Sequence, residues 1–304
     1  MRKVLINLDR STERLETFYR MNKHIKDVER FSAVDGKGLR SSLKESGLLL
    51  ESWGVDYSDG ALGCALSHRD QWRCAISSGG GRTVIEDDAV FCKNFEEEHQ
   101  RLLETLPETW DIVLWGYCAD ATLFYDLLPG FSSCTANFNQ ESVRKNIDSW
   151  SETSVSGSLF KLLGGWGIPC YSISPRGAEK FLDLCFPIRP LPLKPKSFRP
   201  LRVKTQRWRY PVFNDGIDCP MTAFYPELEA YVCIPPLVVT PNDKVISTVQ
   251  VKKKIWKRLK KKIWKWFFWK TALVESFDES DRGKKIKNPT IEPTIKIDID
   301  VSKV

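Results

Sequence analysis

Three consecutive acidic residues, Glu86, Asp87 and Asp88, form the group of side chains in this sequence best suited to chemistry. They lie between the apolar runs 83–85 and 89–91, a pattern that predicts a buried strand ending in a carboxylate cluster. Because side chains alternate along an extended segment, we expect Glu86 and Asp88 to share one side. Two such carboxylates suit a hard cation, Mn²⁺ or Mg²⁺, that also binds water and nucleotide phosphates. A solvated acidic strand end is the alternative.

A second polar group lies near the N-terminus. Residues 3–8 predict a short strand, and a hydroxyl-capped helix is predicted over residues 11–26. In α/β folds, nucleotides bind at the carboxyl ends of strands, where helix N-termini favour anions. The candidate nucleotide contacts at this junction are Asn7, Asp9, Arg10 and Arg14. An acid there would bind a ribose hydroxyl and an arginine a pyrophosphate, unless Arg14 only pairs with Asp9 or a helix neighbour.

A helix rich in small residues is predicted to begin near residue 60 and to extend through Ile76. It carries His68, one of three histidines in the chain. His68 is a candidate catalytic base or ligand, and a hydrogen-bonded core histidine is the alternative. The glycine run 79–81 then turns the chain into the acidic strand. Because no Lys-Ser or Lys-Thr pair follows this run, it is not a P-loop.

Composition limits the class of protein. A chain of 304 residues with 42% hydrophobic content can form one large α/β domain or two smaller ones. The net charge of +7 comes from residues 251–270, which hold ten Lys or Arg and no acid. Without that segment the charge is −3, so the body of the chain is mildly acidic and no nucleic-acid partner is expected.

The cysteines and the N-terminus indicate a reducing compartment. The nine cysteines are scattered and form no C-x-x-C pair, so we interpret them as reduced, mostly buried thiols. The apolar run after the first three residues is too short for a signal peptide or a membrane anchor. No other run approaches the roughly 20 apolar residues of a spanning helix. We therefore expect a cytoplasmic protein.

Five segments of the sequence, taken together and in order, resemble glycosyltransferase family 25. They are residues 6–14, 33–36, 63–68, 85–90 and 110–114. The similarity continues through residues 167–180 and covers roughly residues 2–240. This family includes bacterial lipopolysaccharide and lipooligosaccharide galactosyltransferases and collagen galactosyltransferases. Several motifs in a fixed order are far more specific than any one of them.

The resemblance implies an α/β fold: a GT-A-like nucleotide-sugar-binding domain over residues 1–245, with a mixed, mostly parallel sheet flanked by helices. It implies inverting transfer of a hexose, usually galactose from UDP-galactose, to an acceptor hydroxyl. Glu86, Asp87 and Asp88 would correspond to an Asp-x-Asp type motif. Asp88 and Glu86 would bind the metal, while Glu86 and Asp87 would also border the nucleotide. The metal would neutralise charge as UDP departs.

An inverting transfer also needs a general base that deprotonates the acceptor hydroxyl. The candidates are Asp215 and Asp218, within residues 213–220. Either acid could instead contact the donor sugar or form a turn, since Asn-Asp-Gly is a turn signal. A proline-rich and basic insertion at residues 187–211 separates these acids from the preceding helix, in contrast to the usual family pattern.

The C-terminal part predicts attachment to a membrane. Residues 246–275 predict a basic amphipathic helix in which residues 251–270 combine lysines with an apolar stripe containing tryptophans. Such a helix suits the anionic inner face of a membrane, and capture by nucleic acid or by a calmodulin-like partner is the rival interpretation. Because the implied acceptor is a lipid-linked glycan, membrane binding is favoured. Residues 276–304 predict a loosely ordered tail.

Two alternatives to a galactosyltransferase stay open. The same fold could use another UDP-sugar, since no motif selects the sugar. The protein could also be a catalytically silent, membrane-docked protein that binds a nucleotide-sugar or a glycan.

Overall fold

The computed structural model describes residues 1–129, 131–191 and 213–242. Most of the predicted insertion at 187–211 lies outside the described residues, as do the predicted basic helix at 246–275 and the tail at 276–304. Within the described part of the chain, no helix is both long enough and apolar enough to cross a bilayer.

Strands and helices alternate along the first half of the described chain. The strands are β1 (Arg2–Asn7), β2 (Val28–Ser32), β3 (Arg82–Glu86), β4 (Val90–Phe91), β5 (Ile112–Leu114), β6 (Leu123–Leu128), β7 (Ser132–Ala136), β8 (Ser158–Gly164), β9 (Cys170–Ile173), β10 (Ala230–Ile234) and β11 (Val238–Val239). The α-helices are α1 (Thr12–Met21), α2 (Arg40–Glu45), α3 (Asp59–Ser78), α4 (Phe95–Leu103), α5 (Gln140–Lys145), α6 (Pro175–Cys185) and α7 (Asp218–Phe224).

Nine strands form one mixed sheet in the order β2-β1-β3-β9-β5-β10-β8-β6-β7. The pairs β1·β2, β1·β3 and β5·β10 are parallel, and the other five neighbouring pairs are antiparallel. The predicted α/β class with a mixed sheet is therefore confirmed, but the expectation of a mostly parallel sheet is wrong. The reason is that β9 runs antiparallel between β3 and β5, and that β6, β7 and β8 extend the sheet by antiparallel pairing.

Helices pack on both faces of the sheet. Because neighbouring side chains of a strand point to opposite faces, Val84 of β3 joins one core with α3 and α6, whereas Ile85 joins the other with α1 and α4. Trp72 and Phe181 are fully buried in the first core, and Phe18 and Phe95 are buried in the second. The middle of the sheet is thus covered on both sides, and the acidic residues Glu86, Asp87 and Asp88 lie at the carboxyl end of β3.

Helix α3 lies close to the segment that follows β2. The Ser58 side chain caps the helix by accepting from the Ala61 backbone N–H at 3.0 Å, and Gly79 ends it in a left-handed conformation. A Cβ added to Gly63 would lie 2.3 Å from the Val34 carbonyl oxygen, so only glycine permits this approach. This contact fixes the position of the predicted helix that carries His68.

The acidic strand ends where the sequence predicts. β3 is buried up to Ile85 and ends at Glu86, and the chain turns at Asp87 and Asp88 before β4 begins. The sequence analysis placed Glu86 and Asp88 on one side of an extended strand. This expectation is wrong, because Asp88 lies in the turn after β3 and not in the strand. The helix predicted over residues 11–26 is also shorter than expected, since α1 ends at Met21.

Candidate active site

The candidate site lies at the carboxyl ends of the adjacent parallel strands β1 and β3. Ile6 pairs with Glu86 in this register, so Asn7 at the end of β1 lies beside the turn that carries Asp87 and Asp88. Helix α1 begins five residues after Asn7 and directs its first turn toward the same edge. This is the edge at which α/β sheets bind ligands.

Asp87 is held by two side chains from the N-terminal βα unit. Asn7 Nδ2 donates to Asp87 Oδ2 at 2.7 Å, and Arg14 Nε donates to Asp87 Oδ1 at 2.9 Å. Arg14 Nη2 donates to the same Oδ1 and lies 3.8 Å from Asp88 Oδ2. Arg14 therefore pairs with the acidic turn rather than with Asp9. These contacts make Asp87 an anchor of the turn.

Asp9 and Arg10 lie farther out and have other partners. Asp9 accepts from Arg30 at 2.6 Å and from Ser32 at 2.7 Å, and these hydrogen bonds, that from Arg30 first, lower the pKa of Asp9. Arg10 pairs with Asp35. Both side chains are more than half exposed, so they form a rim near the acidic turn and do not pair with it.

Asp88 has a carboxyl oxygen without a hydrogen-bond partner among the described residues. Its Oδ1 is buried, while the carboxyl group accepts a hydrogen bond from the Thr240 side chain. Burial, followed by the nearby charge of Glu86, raises the pKa of Asp88 to about 6. Burial therefore disfavours the ionised form of Asp88. A bound cation would supply positive charge that stabilises this form.

Glu86 faces His68 across the end of β3. The two side chains approach within 3.4 Å, between Glu86 Oε1 and His68 Nε2, and 30% of the Glu86 side chain stays exposed to an incoming ligand. Burial, and then the charges of Asp87 and Asp218, raise the pKa of Glu86 to about 8. His68 is fully buried, and burial lowers its pKa to about 4, so its ring is uncharged at neutral pH.

The two later acids, Asp218 and Asp215, differ in how they relate to Glu86 and His68. Asp218 is the first residue of α7 and accepts from the Gly167 backbone N–H at 3.2 Å, and burial raises its pKa. Its charge acts on both His68 and Glu86. Asp215 Oδ1 accepts instead from Cys219 Sγ at 3.4 Å. The charge of Asp218 is therefore close enough to Glu86 and His68 to shift the pKa values of both groups.

Two contributors to the site were missed by the sequence analysis. Thr240 reaches Asp88 from the segment after β11, and no local pattern marks it. Cys64 offers a ligand atom that lies, with those of His68 and Glu86, in a group within 4.8 Å of one another. The four-residue spacing of Cys64 and His68 on one helix was an available signal, because it places both on the same face.

The fold and site define an α/β protein with a polar site at the carboxyl ends of parallel strands. The family described as "Glycosyltransferase family 25 (LPS biosynthesis protein)" matches residues 1–194. The chain belongs to glycosyltransferase family 25.

Individual relatives are similar over shorter stretches. A putative glycosyltransferase, R655, of Acanthamoeba polyphaga mimivirus is 32% identical over 37% of this chain and 36% of its own length. A probable inactive glycosyltransferase 25 family member 3 of Rattus norvegicus is 35% identical over 49% of this chain and 24% of its own. Procollagen galactosyltransferase 2 of Homo sapiens is 33% identical over 37% and 20%. The match thus spans about a third or less of these relatives.

Proposed function

We propose that this protein is an inverting glycosyltransferase that moves a hexose, galactose from UDP-galactose, onto a hydroxyl of a glycan acceptor such as lipopolysaccharide or lipooligosaccharide. Membership of family 25 supports a glycosyltransferase, and the name of the human relative, procollagen galactosyltransferase 2, supports galactose. The acidic turn at the ends of β1 and β3 is the observation on which the proposal depends.

The residues present fit a divalent cation. Asp88 Oδ1 is buried and unpartnered among the described residues, and Glu86 beside it is a second carboxylate with a raised pKa. Carboxylate oxygens are the ligands that Mn²⁺ and Mg²⁺ prefer. Asp88 and Glu86 would hold the cation, which would supply positive charge to the departing diphosphate of UDP.

Other residues of the chain would bind and orient the donor. Asn7 and Arg14 fix the turn through Asp87, which keeps the neighbouring Asp88 in place. Asp9 and Arg10 at the exposed rim would reach the ribose and the diphosphate, since both can exchange surface partners for a ligand. Glu86 and Asp87 would border the same nucleotide.

Asp218 is the better candidate for the general base. Burial raises its pKa, and a raised pKa makes a carboxylate a stronger base. His68 is less suited to this role, because its pKa is lowered to about 4 and its Nδ1 already contacts the Tyr171 hydroxyl at 2.9 Å. Asp215 would then support the start of α7 and its neighbour Cys219.

A catalytically silent protein is the second candidate function. The rat relative is named as a probable inactive family member, so membership of the family does not guarantee turnover. Such a protein would bind a nucleotide-sugar or a glycan at the same site without transfer. Use of a different UDP-sugar is the other alternative. Measuring turnover with several UDP-sugars separates the silent protein and the different donor from the main proposal.

The proposal includes an anionic membrane surface as a partner. It rests on the sequence of residues 251–270, which lie outside the described part of the chain. Ten basic residues with an apolar stripe would hold the enzyme at the cytoplasmic face of a membrane, near a lipid-linked acceptor. No nucleic-acid partner is proposed.

Release of UDP from UDP-galactose, UDP-glucose and UDP-N-acetylglucosamine in the presence of Mn²⁺ tests the activity. We expect the fastest release from UDP-galactose and at least a ~100-fold loss in Asp218→Asn, the scale on which general bases act. Asp183→Asn, an exposed change on α6, is the matched control and should keep full activity. Release unaffected by Asp218→Asn would contradict the assignment of the base, and no release from any donor would favour the silent alternative.

A further inference from the structure

Cys64, His68 and Glu86 form a cluster of three different metal-ligating groups. Cys64 and His68 lie four residues apart on α3, so their side chains occupy one face of that helix. Glu86 approaches this face from the end of β3. One ligand atom from each residue, taken together, lies within 4.8 Å of the other two.

The distance between His68 and Glu86 is more typical of two metal ligands than of a strong hydrogen bond. Nε2 and Oε1 are 3.4 Å apart, whereas a hydrogen bond to a carboxylate is usually about 2.7 to 2.9 Å. Two ligands bound to a tetrahedral zinc ion at about 2.1 Å lie roughly 3.4 Å from each other. A cation would therefore fit between these atoms, and the thiol of Cys64 would need only a small side-chain movement to reach it.

The surrounding hydrogen bonds orient His68 for this role. Its Nδ1 lies 2.9 Å from the Tyr171 hydroxyl, and Trp72 Nε1–H donates to the same hydroxyl at 2.8 Å. This contact holds the ring so that Nε2 faces Glu86. Metal binding through Nε2 would place the ring proton on Nδ1, which would then donate to the Tyr171 hydroxyl. Metal-binding histidines are commonly fixed in this way by a partner of the other ring nitrogen.

We propose that Cys64, His68 and Glu86 form a binding site for a borderline-soft divalent cation such as Zn²⁺. This site is distinct from the Mn²⁺ or Mg²⁺ site proposed at Asp88, although Glu86 belongs to both. The ligand set supports the choice, because a thiolate and an imidazole favour Zn²⁺ over Mg²⁺ and Mn²⁺. Three protein ligands would leave a fourth position open to water or to a substrate oxygen. On binding, Cys64 gives up its thiol proton to solvent.

Cobalt is the spectroscopic probe of this site. Co²⁺ titrated into the full-length, reduced protein without oxygen is expected to give the charge-transfer absorption of a cobalt–thiolate bond at one equivalent. Zn²⁺ added afterwards should displace Co²⁺ and remove that absorption. An absorption that is absent from the wild-type protein would overturn the proposal.

One ligand variant and two control variants test the assignment. Cys64→Ser is expected to abolish the absorption and to weaken Zn²⁺ binding by at least about 10-fold, whereas Cys74→Ser, on the same helix, should leave both unchanged. Asp88→Asn should also keep the absorption, because Asp88 is not a ligand here. An absorption that persists in Cys64→Ser, or that disappears in Cys74→Ser, would overturn the proposal. Near-ultraviolet circular dichroism confirms that each variant is folded.

The outcome is independent of the proposed transferase function. Cobalt–thiolate absorption in a protein that fails to bind UDP would support the cation site and contradict the donor site. Metal-dependent UDP binding without that absorption would support the donor site and overturn the cation site.

Discussion

At the scale of single residues, the site concentrates negative charge where few positive groups neutralise it. Arg14 contacts Asp87 and approaches Asp88, but Asp88 Oδ1 has no hydrogen-bond partner among the described residues. Burial, and then the neighbouring negative charges, raise the pKa values of Glu86 and Asp88. In the proposed cation site, the bound ion would supply positive charge to these carboxylates.

Glu86 makes the stability of the metal-free protein dependent on pH. Its pKa rises from the ordinary 4.5 to about 8 on folding, so the folded protein binds more protons than the unfolded chain between these values. The free energy of unfolding contributed by Glu86 should therefore fall as the pH rises from about 4.5 to about 8. We expect Glu86→Gln to remove this slope in urea unfolding experiments performed with a chelator.

Glu97→Gln, an exposed change on α4, is the control for this experiment and should keep the wild-type slope. His68 contributes in the opposite direction, because its lowered pKa costs stability as the pH falls from 6.5 toward 4. This contribution lies below pH 6.5, so the slopes are compared between pH 6.5 and 8, where the contribution of Glu86 continues. Equal slopes in wild type and Glu86→Gln would contradict the proposed environment of Glu86.

Strand-end reasoning predicted part of the site at this scale. Asn7, Arg14, Glu86 and Asp87 meet because parallel strands present their carboxyl ends at one edge, and that rule can be applied to a sequence. Contacts such as that of His68 with Tyr171, 103 residues later, depend on how α3 and β9 pack. No local pattern carries that information, and the contribution of Thr240 was missed for the same reason.

At the scale of elements, α3 determines where Cys64 and His68 lie. The helix is fixed near its start, where Gly63 meets the Val34 carbonyl and Ser67 Oγ accepts from the Val34 backbone N–H at 2.9 Å. Any shift of α3 would move His68 away from Glu86. The geometry of the site thus depends on a contact without catalytic groups.

Gly63→Ala tests this dependence. The added Cβ would lie 2.3 Å from the Val34 carbonyl oxygen, so backbone must move, and we expect a loss of about 1–3 kcal/mol in the free energy of unfolding. Gly80→Ala is the matched control, since its Cβ would meet only Ser78 Oγ at 3.9 Å, and its effect should stay within about 0.5 kcal/mol. Equal effects of the two changes in urea unfolding would contradict the packing described.

The sequence predicted elements with strong local signals better than it predicted their arrangement. β1 and β3 were expected from their apolar runs, and α3 from its small residues and the helical spacing of its apolar positions. The direction of β9 was not foreseen, since parallel or antiparallel pairing depends on distant contacts. The turn at Asp87 and Asp88 was missed because consecutive acids carry no turn signal of the glycine or proline kind.

At the scale of the whole molecule, the proposed enzyme combines a family domain with a basic segment that would bind a membrane surface. The family match ends at residue 194, whereas the ten basic charges lie in residues 251–270. Substitutions in the two regions therefore test the proposed membrane attachment and the proposed donor binding separately.

Changing three lysines in each of two segments tests the membrane proposal. Each basic residue near an anionic surface contributes on the order of 1 kcal/mol, so neutralising three should weaken binding to phosphatidylserine vesicles roughly 100-fold. The test variant carries Gln at Lys260, Lys261 and Lys262, and the control carries Gln at Lys284, Lys285 and Lys287. Co-sedimentation with vesicles measures the difference. Equal weakening in both variants would attribute binding to net charge and contradict a specific helix.

The central claim is that the acidic turn binds a nucleotide diphosphate through a divalent cation, and calorimetric titration with UDP tests it most directly. The wild-type protein and the Asp183→Asn control should bind UDP in the presence of Mn²⁺ and should bind it measurably more weakly when a chelator replaces Mn²⁺. Asp88→Asn should bind UDP weakly under both conditions. UDP binding that is unchanged by the chelator, or unchanged in Asp88→Asn, would contradict the account.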